Sequence, residues 1–391
     1  MIGARVSLAQ VRAGVVGVGF IGVAHVEALR RLGVQVTGVA GSSPQRARAK
    51  AAAANLPRVH DSVEALVAAP DVDVVHVATP NRLHSQQVLA ALDAGKHVVC
   101  EKPLGLTSRE TAGMVARAAA AAVVNAVCFN IRFYALCHHM RAMVAAGDIG
   151  SPRLVTGSYL QDWLLEPTDW NWRLEPESAG ALRAVADIGS HWLDLARFVT
   201  GRRVVAAMAD LHTTVPVRRH PPGPVETFAA PSGDAAEEIT ETMTSDDAAG
   251  VLLRFEDGVR GTLAISQVSA GRKNAVSIEV DGSEGALWWS SEDPDRLWIG
   301  HRGRPNGWLA RDAALMAPEA AAVTAYPPGH IEGYADTFRG LFAQVYADVA
   351  RDGPAPTPAY PTFADGHDAV CVTEAIATSS AERRWVDVDR S

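Results

Sequence analysis

Cysteine is scarce in this chain. There are four, Cys100, Cys128, Cys137 and Cys371, with neither C-x-x-C spacing nor the density of a disulfide framework, which suits a reducing compartment. No basic excess exists either. Lys plus Arg is 36 against 44 for Asp plus Glu, a formal charge of -8 without a sustained basic stretch, which argues against nucleic acid as a direct partner. No apolar core of signal-peptide type precedes the first strand, and the alanine-rich stretch 111–129 is broken by Arg117 and Asn125. It reads as a helix followed by a strand, so neither secretion nor membrane insertion is expected and the cytoplasm is the expected location. No internal repeat is present.

What the chain does have is enough apolar residue, 48% of 391, to bury two cores of ordinary domain size. The first organised segment is Ala13-Gly14-Val15-Val16, a strand of small and β-branched residues. It leads into Gly17-Val18-Gly19-Phe20-Ile21-Gly22 and then an apolar-striped helix. A G-x-G-x-x-G motif alone is weak, but strand before and helix after is the context a dinucleotide loop requires. Gly17 permits the turn, Gly19 the approach of a pyrophosphate, and Gly22 the close packing of helix on strand; Phe20 and Ile21 complete the phosphate loop.

Residues 34–40 form the second strand. At its tip an NAD-specific site usually carries an acidic residue for the ribose 2′-hydroxyl, and this chain has Gly41-Ser42-Ser43-Pro44-Gln45-Arg46 instead. With no carboxylate to repel a 2′-phosphate, and Ser42, Ser43 and Arg46 beside it, either NAD or NADP is admissible, with a tilt toward NADP. The competing reading is that Ser43-Pro44 caps the next helix and Arg46 lies on its solvated side.

Strands and helices go on alternating. Residues 72–78 read as a buried strand, Thr79-Pro80-Asn81 with His84 as a loop entering a helix, and 96–100 as the strand that delivers Glu101-Lys102-Pro103. This order predicts a doubly wound parallel sheet whose ligands sit beyond the carboxyl ends of its strands. The glycine loop, the Thr79 loop and Lys102 all fall on that edge. A lysine between a carboxylate and a fixed proline is placed for proton chemistry next to a cofactor.

The fingerprint at 17–22, Ala78-Thr79-Pro80-Asn81 with His84, Gly95-Lys96-His97 running to Glu101-Lys102-Pro103, and Asp187-Ile188-Gly189-Ser190-His191 together resemble the glucose-fructose oxidoreductase, inositol dehydrogenase and MocA family. The resemblance implies an α/β Rossmann domain followed by an α+β domain with a large, mostly antiparallel open sheet. It also implies a nicotinamide whose hydride face points at a polyol, Lys102, Asp187 and His191 lining the reaction centre, a cis Lys102-Pro103 peptide, and homodimers or homotetramers.

The boundary is expected near Asn130, giving a dinucleotide-binding domain over 1–130 and a substrate and oligomerisation domain over 131–391. A helix at 134–146 is stopped by Gly147, and strands follow at 153–161, 204–215, 250–268 and 276–289. The last two are broken at Asp257-Gly258 and Asp281-Gly282, pairs that favour hairpins, so a meander is expected. Residues 220–247, rich in proline, alanine and acid, read as a mobile excursion. A helix at 363–380 and a short strand at 384–388 close the chain.

Oxidising a secondary alcohol needs a base within reach of the hydroxyl as hydride leaves the same carbon. Asp187 and His191 are four residues apart and share a face if helical, so the carboxylate can orient the imidazole or touch substrate. His191 is the leading acid/base, Lys102 a competing proton acceptor or a stabiliser of developing charge, and Asp187 the orienter. Pairing of His191 with Asp194 at a helix start is the bland alternative. A metal held by Asp187, His191 and Asp194 lacks a further ligand at diagnostic spacing, so none is expected.

Tyr159, Trp163, Trp170 and Trp172 cluster with Asp162, Asp169, Asn171 and Arg173, and flat aromatic faces beside forked polar groups suit a sugar or cyclitol ring. Trp163, Trp172 and Arg173 are the substrate candidates, with strand packing as the alternative. At the junction Asn130 is read toward the cofactor and Arg132 toward the substrate, or both as domain ties; His330 and Glu332 are weaker candidates. The expected activity is NAD(P)-dependent oxidation of a sugar, sugar derivative or cyclitol. Redox-neutral glycoside cleavage and a non-catalytic dinucleotide sensor are the rivals.

Overall fold

A computed structural model describes residues 7–56, 58–223, 225, 238–351 and 353–391. The chain divides into two compact units, one running through Asn130 and including 335–370, the other comprising 131–334 and 371–391.

The first unit holds five parallel strands, β1 (Arg12–Val16), β2 (Gln35–Ala40), β3 (Val74–Val77), β4 (His97–Cys100) and β5 (Asn125–Val127), in the order β2-β1-β3-β4-β5. Both faces are covered, so the strands read as near-continuous valine, alanine and glycine rather than alternating. Helices Phe20–Arg31, Pro44–Ala53, His84–Asp93 and Ser108–Ala121 supply most of the cover. Helix Tyr334–Val349 adds an apolar face: Phe342 lies edge-on to the rings of His25 and His76, with centroids 4.9 and 4.8 Å away, and Tyr346 stacks on His76 at 5.9 Å. Periodicity marks such a face but not its target.

In the second unit β6 (Pro152–Leu160), β7 (Val204–His212), β8 (Val217–His220), β9 (Ile239–Thr242), β10 (Ala248–Phe255), β11 (Arg260–Ser266), β12 (Ala275–Gly282), β13 (Gly285–Ser290), β14 (Arg296–His301), β15 (Gly307–Ala310) and β16 (Val386–Asp387) form two sheets. The larger has nine strands, ordered β15-β14-β13-β12-β6-β11-β10-β7-β16, and every pairing is antiparallel except β6 with β11. It is therefore not a pure meander, because β6 inserts between β11 and β12. The β10–β11 hairpin turns at Asp257-Gly258, whose φ values of 57° and 77° both lie in the left-handed region that such turns demand. At Asp281-Gly282 the strand continues through the pair and turns at 283–284.

The smaller sheet pairs β8 with β9. Part of the segment read as an excursion is thus a hairpin, anchored by buried Arg218 and by His220, which stacks on Trp170 at 3.7 Å. The rest of that expectation, at 224 and 226–237, lies outside the described residues.

Helix Ala135–Ala146 buries His138 between the rings of Phe133 and Phe198, at 5.1 and 4.9 Å. Burial first, then the charges of Arg132 and Arg141, lowers its pKa to about 3. The unfolded ring protonates near its ordinary value of about 6.5. From there down toward pH 3 the unfolded state binds a proton that the folded state refuses, so stability present above pH 6.5 is lost as pH falls. Between pH 6.5 and 5 this group alone costs about 2 kcal/mol. His138→Met is expected to narrow the gap between urea midpoints at pH 7 and pH 5; an unchanged gap removes His138 from the acid limb.

Candidate active site

In the first unit the candidate residues gather at the carboxyl ends of β1, β3 and β4. Gly17 follows β1 with φ 102°, and its N–H donates to Ala40 O at 2.8 Å, tying the loop to the end of β2. Gly19 caps helix Phe20–Arg31 without a side-chain cap bond, and first-turn amides of a helix suit an anion. A Cβ on Gly17 would stand 2.3 Å from Ala78 O and one on Gly22 1.9 Å from Gly17 O, whereas one on Gly19 would meet nothing within 4 Å. Two glycines are enforced by backbone proximity and the third opens onto space that a pyrophosphate can occupy. The loop fits a dinucleotide.

At the end of β2 the Ser43 hydroxyl caps helix Pro44–Ala53, accepting from Arg46 N at 3.2 Å, while Ser42 and the Arg46 side chain are exposed. After β3, Thr79 Oγ1 donates to Gln87 Oε1 at 2.7 Å and Asn81 is buried. His84 is buried as well, its Nδ1 2.8 Å from Pro103 O and its Nε2 2.9 Å from Thr79 O. Burial lowers its pKa despite both carbonyls. The ring thus staples the Thr79 loop to the Pro103 loop from behind. The Lys102-Pro103 peptide is cis, Lys102 is half-buried, and Glu101 accepts the Lys102 backbone N–H at 3.2 Å. Asn130 donates to Thr337 Oγ1 at 2.8 Å, a contact within the same unit.

In the second unit Asp187 sits in a π-helical turn, Val185–Gly189, that runs into helix Ser190–Thr200 carrying His191. Such turns recur at functional sites because they re-aim one side chain. Asp246 fixes where this one begins, its carboxylate accepting from Arg183 N at 2.7 Å and Val185 N at 2.8 Å. Burial nonetheless raises the Asp246 pKa.

Asp187 Oδ1 accepts from Arg173 Nε at 3.1 Å and Oδ2 from Gln267 Nε2 at 2.9 Å. The Arg173 guanidinium lies 4.5 Å over the Trp172 ring and 5.9 Å from that of Trp163. A ladder of amides continues the surface: Trp163 Nε1 donates to Gln161 Oε1, and Gln161 Nε2 and Tyr159 Oη both donate to Asn274 Oδ1, each at 2.8 Å. Tyr159 lies 6.2 Å from the His191 ring, and burial, then the charge of Asp187, pushes its phenol upward. The result is one carboxylate, one guanidinium, two indoles, three amides, a phenol and an imidazole in a continuous array, a set of alternating flat and forked groups that matches a polyhydroxylated ring.

Arg218 holds the segment carrying these indoles, donating to Leu164 O at 2.7 Å and Glu166 O at 2.8 Å while sharing Asp247 with Arg183. Both arginines are fully buried, and burial lowers each to about 10.

Other expected residues take different places. Arg132 is buried and forks onto Asp194, with Nε donating to Oδ2 at 2.8 Å. Arg132 is the guanidinium read toward substrate, and Asp194 the carboxylate offered as a partner of His191. Trp170 packs into a cluster with Leu164, Leu174 and Met243. Glu332 accepts from Ala325 N and Tyr326 N at 2.8 Å and pairs with Arg311, closing its own loop. Gln267, Gln161 and Asn274 escaped the sequence reading; the available signal for Gln267 was an amide directly after an alternating strand.

A family model described as "Oxidoreductase family, NAD-binding Rossmann fold" matches residues 11–129, and one described as "GFO/IDH/MocA C-terminal domain" matches 137–288. Levoglucosan dehydrogenase of Pseudarthrobacter phenanthrenivorans is 30% identical over 323 residues, 82% of this chain and 80% of that protein. 1,5-Anhydro-D-fructose reductase of Ensifer adhaerens is 38% identical over 189 residues, 48% of this chain and 56% of its own. Among solved structures, levoglucosan dehydrogenase in complex with NADH and L-sorbose superposes with a TM-score of 0.86 at 28% identity, over 97% of this chain and 99% of the other. An inositol dehydrogenase homolog from Azotobacter vinelandii, complexed with NADH and myo-inositol, gives 0.82 at 27% identity, over 99% and 100%.

Proposed function

This chain belongs to the GFO/IDH/MocA family of NAD-binding oxidoreductases, and we propose that it oxidises a secondary hydroxyl of a sugar, sugar derivative or cyclitol ring. The observation that carries the substrate class is the array around Asp187, in which Arg173, Gln267 and the indoles of Trp163 and Trp172 surround one carboxylate. The nicotinamide, when bound, supplies the hydride acceptor. The Gly17–Gly22 loop would hold its pyrophosphate, with Gly19 opening onto the phosphate space and the Thr79-Pro80-Asn81 loop at the same sheet edge.

The chain's own residues then handle the proton. His191 has its Nδ1 buried, so Nε2 is the atom that exchanges a proton with the hydroxyl. Asp187, braced by Arg173 and Gln267, orients the ring being oxidised. The Lys102 ammonium stabilises negative charge developing on oxygen, or takes the proton itself. Asn130 and Arg132 act in support, through Thr337 and Asp194.

The end of β2 offers no carboxylate against a 2′-phosphate, so NADP is accepted at least as readily as NAD. Four buried free thiols support a reducing, cytoplasmic setting, and no described helix is long and apolar enough to cross a membrane. The solvent side of the large sheet exposes Leu154, Met208 and Leu252, which supports a homodimer or homotetramer, checked by light scattering.

The test is nicotinamide reduction, followed by absorbance, with NAD and NADP in parallel across monosaccharides, anhydrosugars, glycosides and inositols. Reduction with one ring class is expected. Binding of both dinucleotides without reduction by any of them would defeat the reading.

A further inference from the structure

Four side chains that the proposed chemistry does not use form a single file inside the first unit. Tyr346 Oη lies 2.9 Å from His76 Nε2, His76 Nδ1 lies 3.0 Å from His25 Nδ1, and His25 Nε2 lies 3.1 Å from Glu101 Oε1. Glu101 Oε2 accepts the backbone N–H of Lys102. The four come from four places: helix Tyr334–Val349, β3, helix Phe20–Arg31 and the end of β4. All are buried, and Phe338 and Phe342 pack on the His25 ring.

Proton counting gives the file a direction. A neutral imidazole offers one N–H and one lone pair, so two facing Nδ1 atoms bond only when the rings are opposite tautomers. An ionised Glu101 only accepts. A neutral His25 must then donate from Nε2 and accept at Nδ1, His76 must donate from Nδ1 and accept at Nε2, and Tyr346 must donate its hydroxyl hydrogen. Burial, then proximity to His25, lowers the His76 pKa well below the ordinary imidazole value, and burial raises that of the Tyr346 phenol, so both hold the neutral forms this order needs. In that order every ring nitrogen in the file is satisfied, and the carboxylate sits beside Lys102.

We propose that Tyr346, His76 and His25 are positioning residues, which fix the Glu101 carboxylate and through it the Lys102 peptide for hydride transfer. The proposal rests on the role given to Lys102 above. A carboxylate held by a neutral donor chain keeps one orientation without a counter-charge that would compete for the substrate oxygen.

The same corner admits a second chemistry that the test must separate. Cys128 Sγ lies 3.7 Å from His25 Nε2, and these two atoms and a Glu101 oxygen lie within 4.8 Å of one another. Burial, with the Glu101 charge next, keeps Cys128 a thiol. A cation there would take the Nε2 lone pair of His25 and force its hydrogen onto Nδ1, the opposite tautomer.

Nitrogen-15 NMR of the full chain labelled at histidine reads this directly. His25 is expected as the Nε2–H tautomer and His76 as Nδ1–H, unchanged by added zinc. The reverse assignment, or zinc moving His25 to Nδ1–H, overturns the file. His76→Leu is expected to lower kcat about 10- to 100-fold with dinucleotide Kd unchanged. His76→Asn, whose amide N–H replaces the Nδ1–H, should recover most of that loss, and Tyr346→Phe gives a smaller fall in the same direction. Equal losses in His76→Leu and His76→Asn would reduce the file to core packing. Normal tautomers together with full activity in Lys102→Met would instead sink the Lys102 role and the positioning claim with it.

Discussion

Lys102→Met is expected to lower kcat by about 10²- to 10⁴-fold, the usual worth of a positioned proton-handling group, while dinucleotide Kd stays within a small factor of the parent. Methionine keeps the length and apolar stem of the side chain and removes only the ammonium. The glycine loop and the Thr79 loop do not depend on that ammonium for their geometry: Gly17 is tied to Ala40, and His84 bridges Thr79 to Pro103 through carbonyl oxygens. A companion, His191→Asn, separates the two proton roles. If His191 is the base, its loss removes the dependence of kcat on pH that imidazole ionisation imposes, whereas Lys102→Met lowers the whole profile without changing its shape. If Lys102 is the base, the two outcomes exchange. Single-turnover rates with each variant, alongside dinucleotide Kd from fluorescence, read both quantities. Parent-like turnover in both variants would remove Lys102 and His191 from the chemistry.

Local rules carried the sequence reading as far as local rules reach. The strand–glycine loop–helix unit was legible because the Cβ contacts at Gly17 and Gly22 leave no other residue type. The turn at Asp257-Gly258 was legible because two consecutive positive φ values demand that pair. What escaped depends on partners distant in sequence. Parallel pairing of β6 with β11 joins residues about a hundred apart, and nothing in either strand encodes its neighbour. The helix carrying Phe338, Phe342 and Tyr346 was not among the elements read from the sequence, and its targets, His25 and His76, lie some three hundred residues earlier. The site divides the same way. Asp187 and His191 stand out by spacing, but four-residue spacing says only that two groups can share a face. The carboxylate oxygens of Asp187 face Arg173 and Gln267, a choice made by the end of β11 and by the segment that Arg218 holds. Arg132 looked available because it is charged and near a boundary, and its pairing with Asp194 depends on the packing of helix Ser190–Thr200.

Gly22→Ala is expected to abolish dinucleotide binding, by at least about 100-fold, and to destabilise the first unit by about 1–3 kcal/mol, the usual cost of overpacking. The added methyl would stand 1.9 Å from Gly17 O and 2.8 Å from Gly17 C. Those are backbone atoms, so no rotamer relieves the clash. Gly17 cannot retreat, since its N–H is bonded to Ala40 O and its own Cα faces Ala78 O. The helix must therefore lift away from β1, carrying its first-turn amides off the pyrophosphate position. Gly19→Ala is the control that separates fold from ligand. Its methyl meets no protein atom within 4 Å, so the thermal midpoint should stay near that of the parent while dinucleotide affinity falls, because the methyl enters the space the phosphates need. Calorimetric titration of NAD and NADP against both variants, with thermal unfolding in parallel, gives the comparison. Parent-like binding by Gly22→Ala, or a Gly19→Ala variant that binds as tightly as the parent, would mean that the phosphates do not approach this loop.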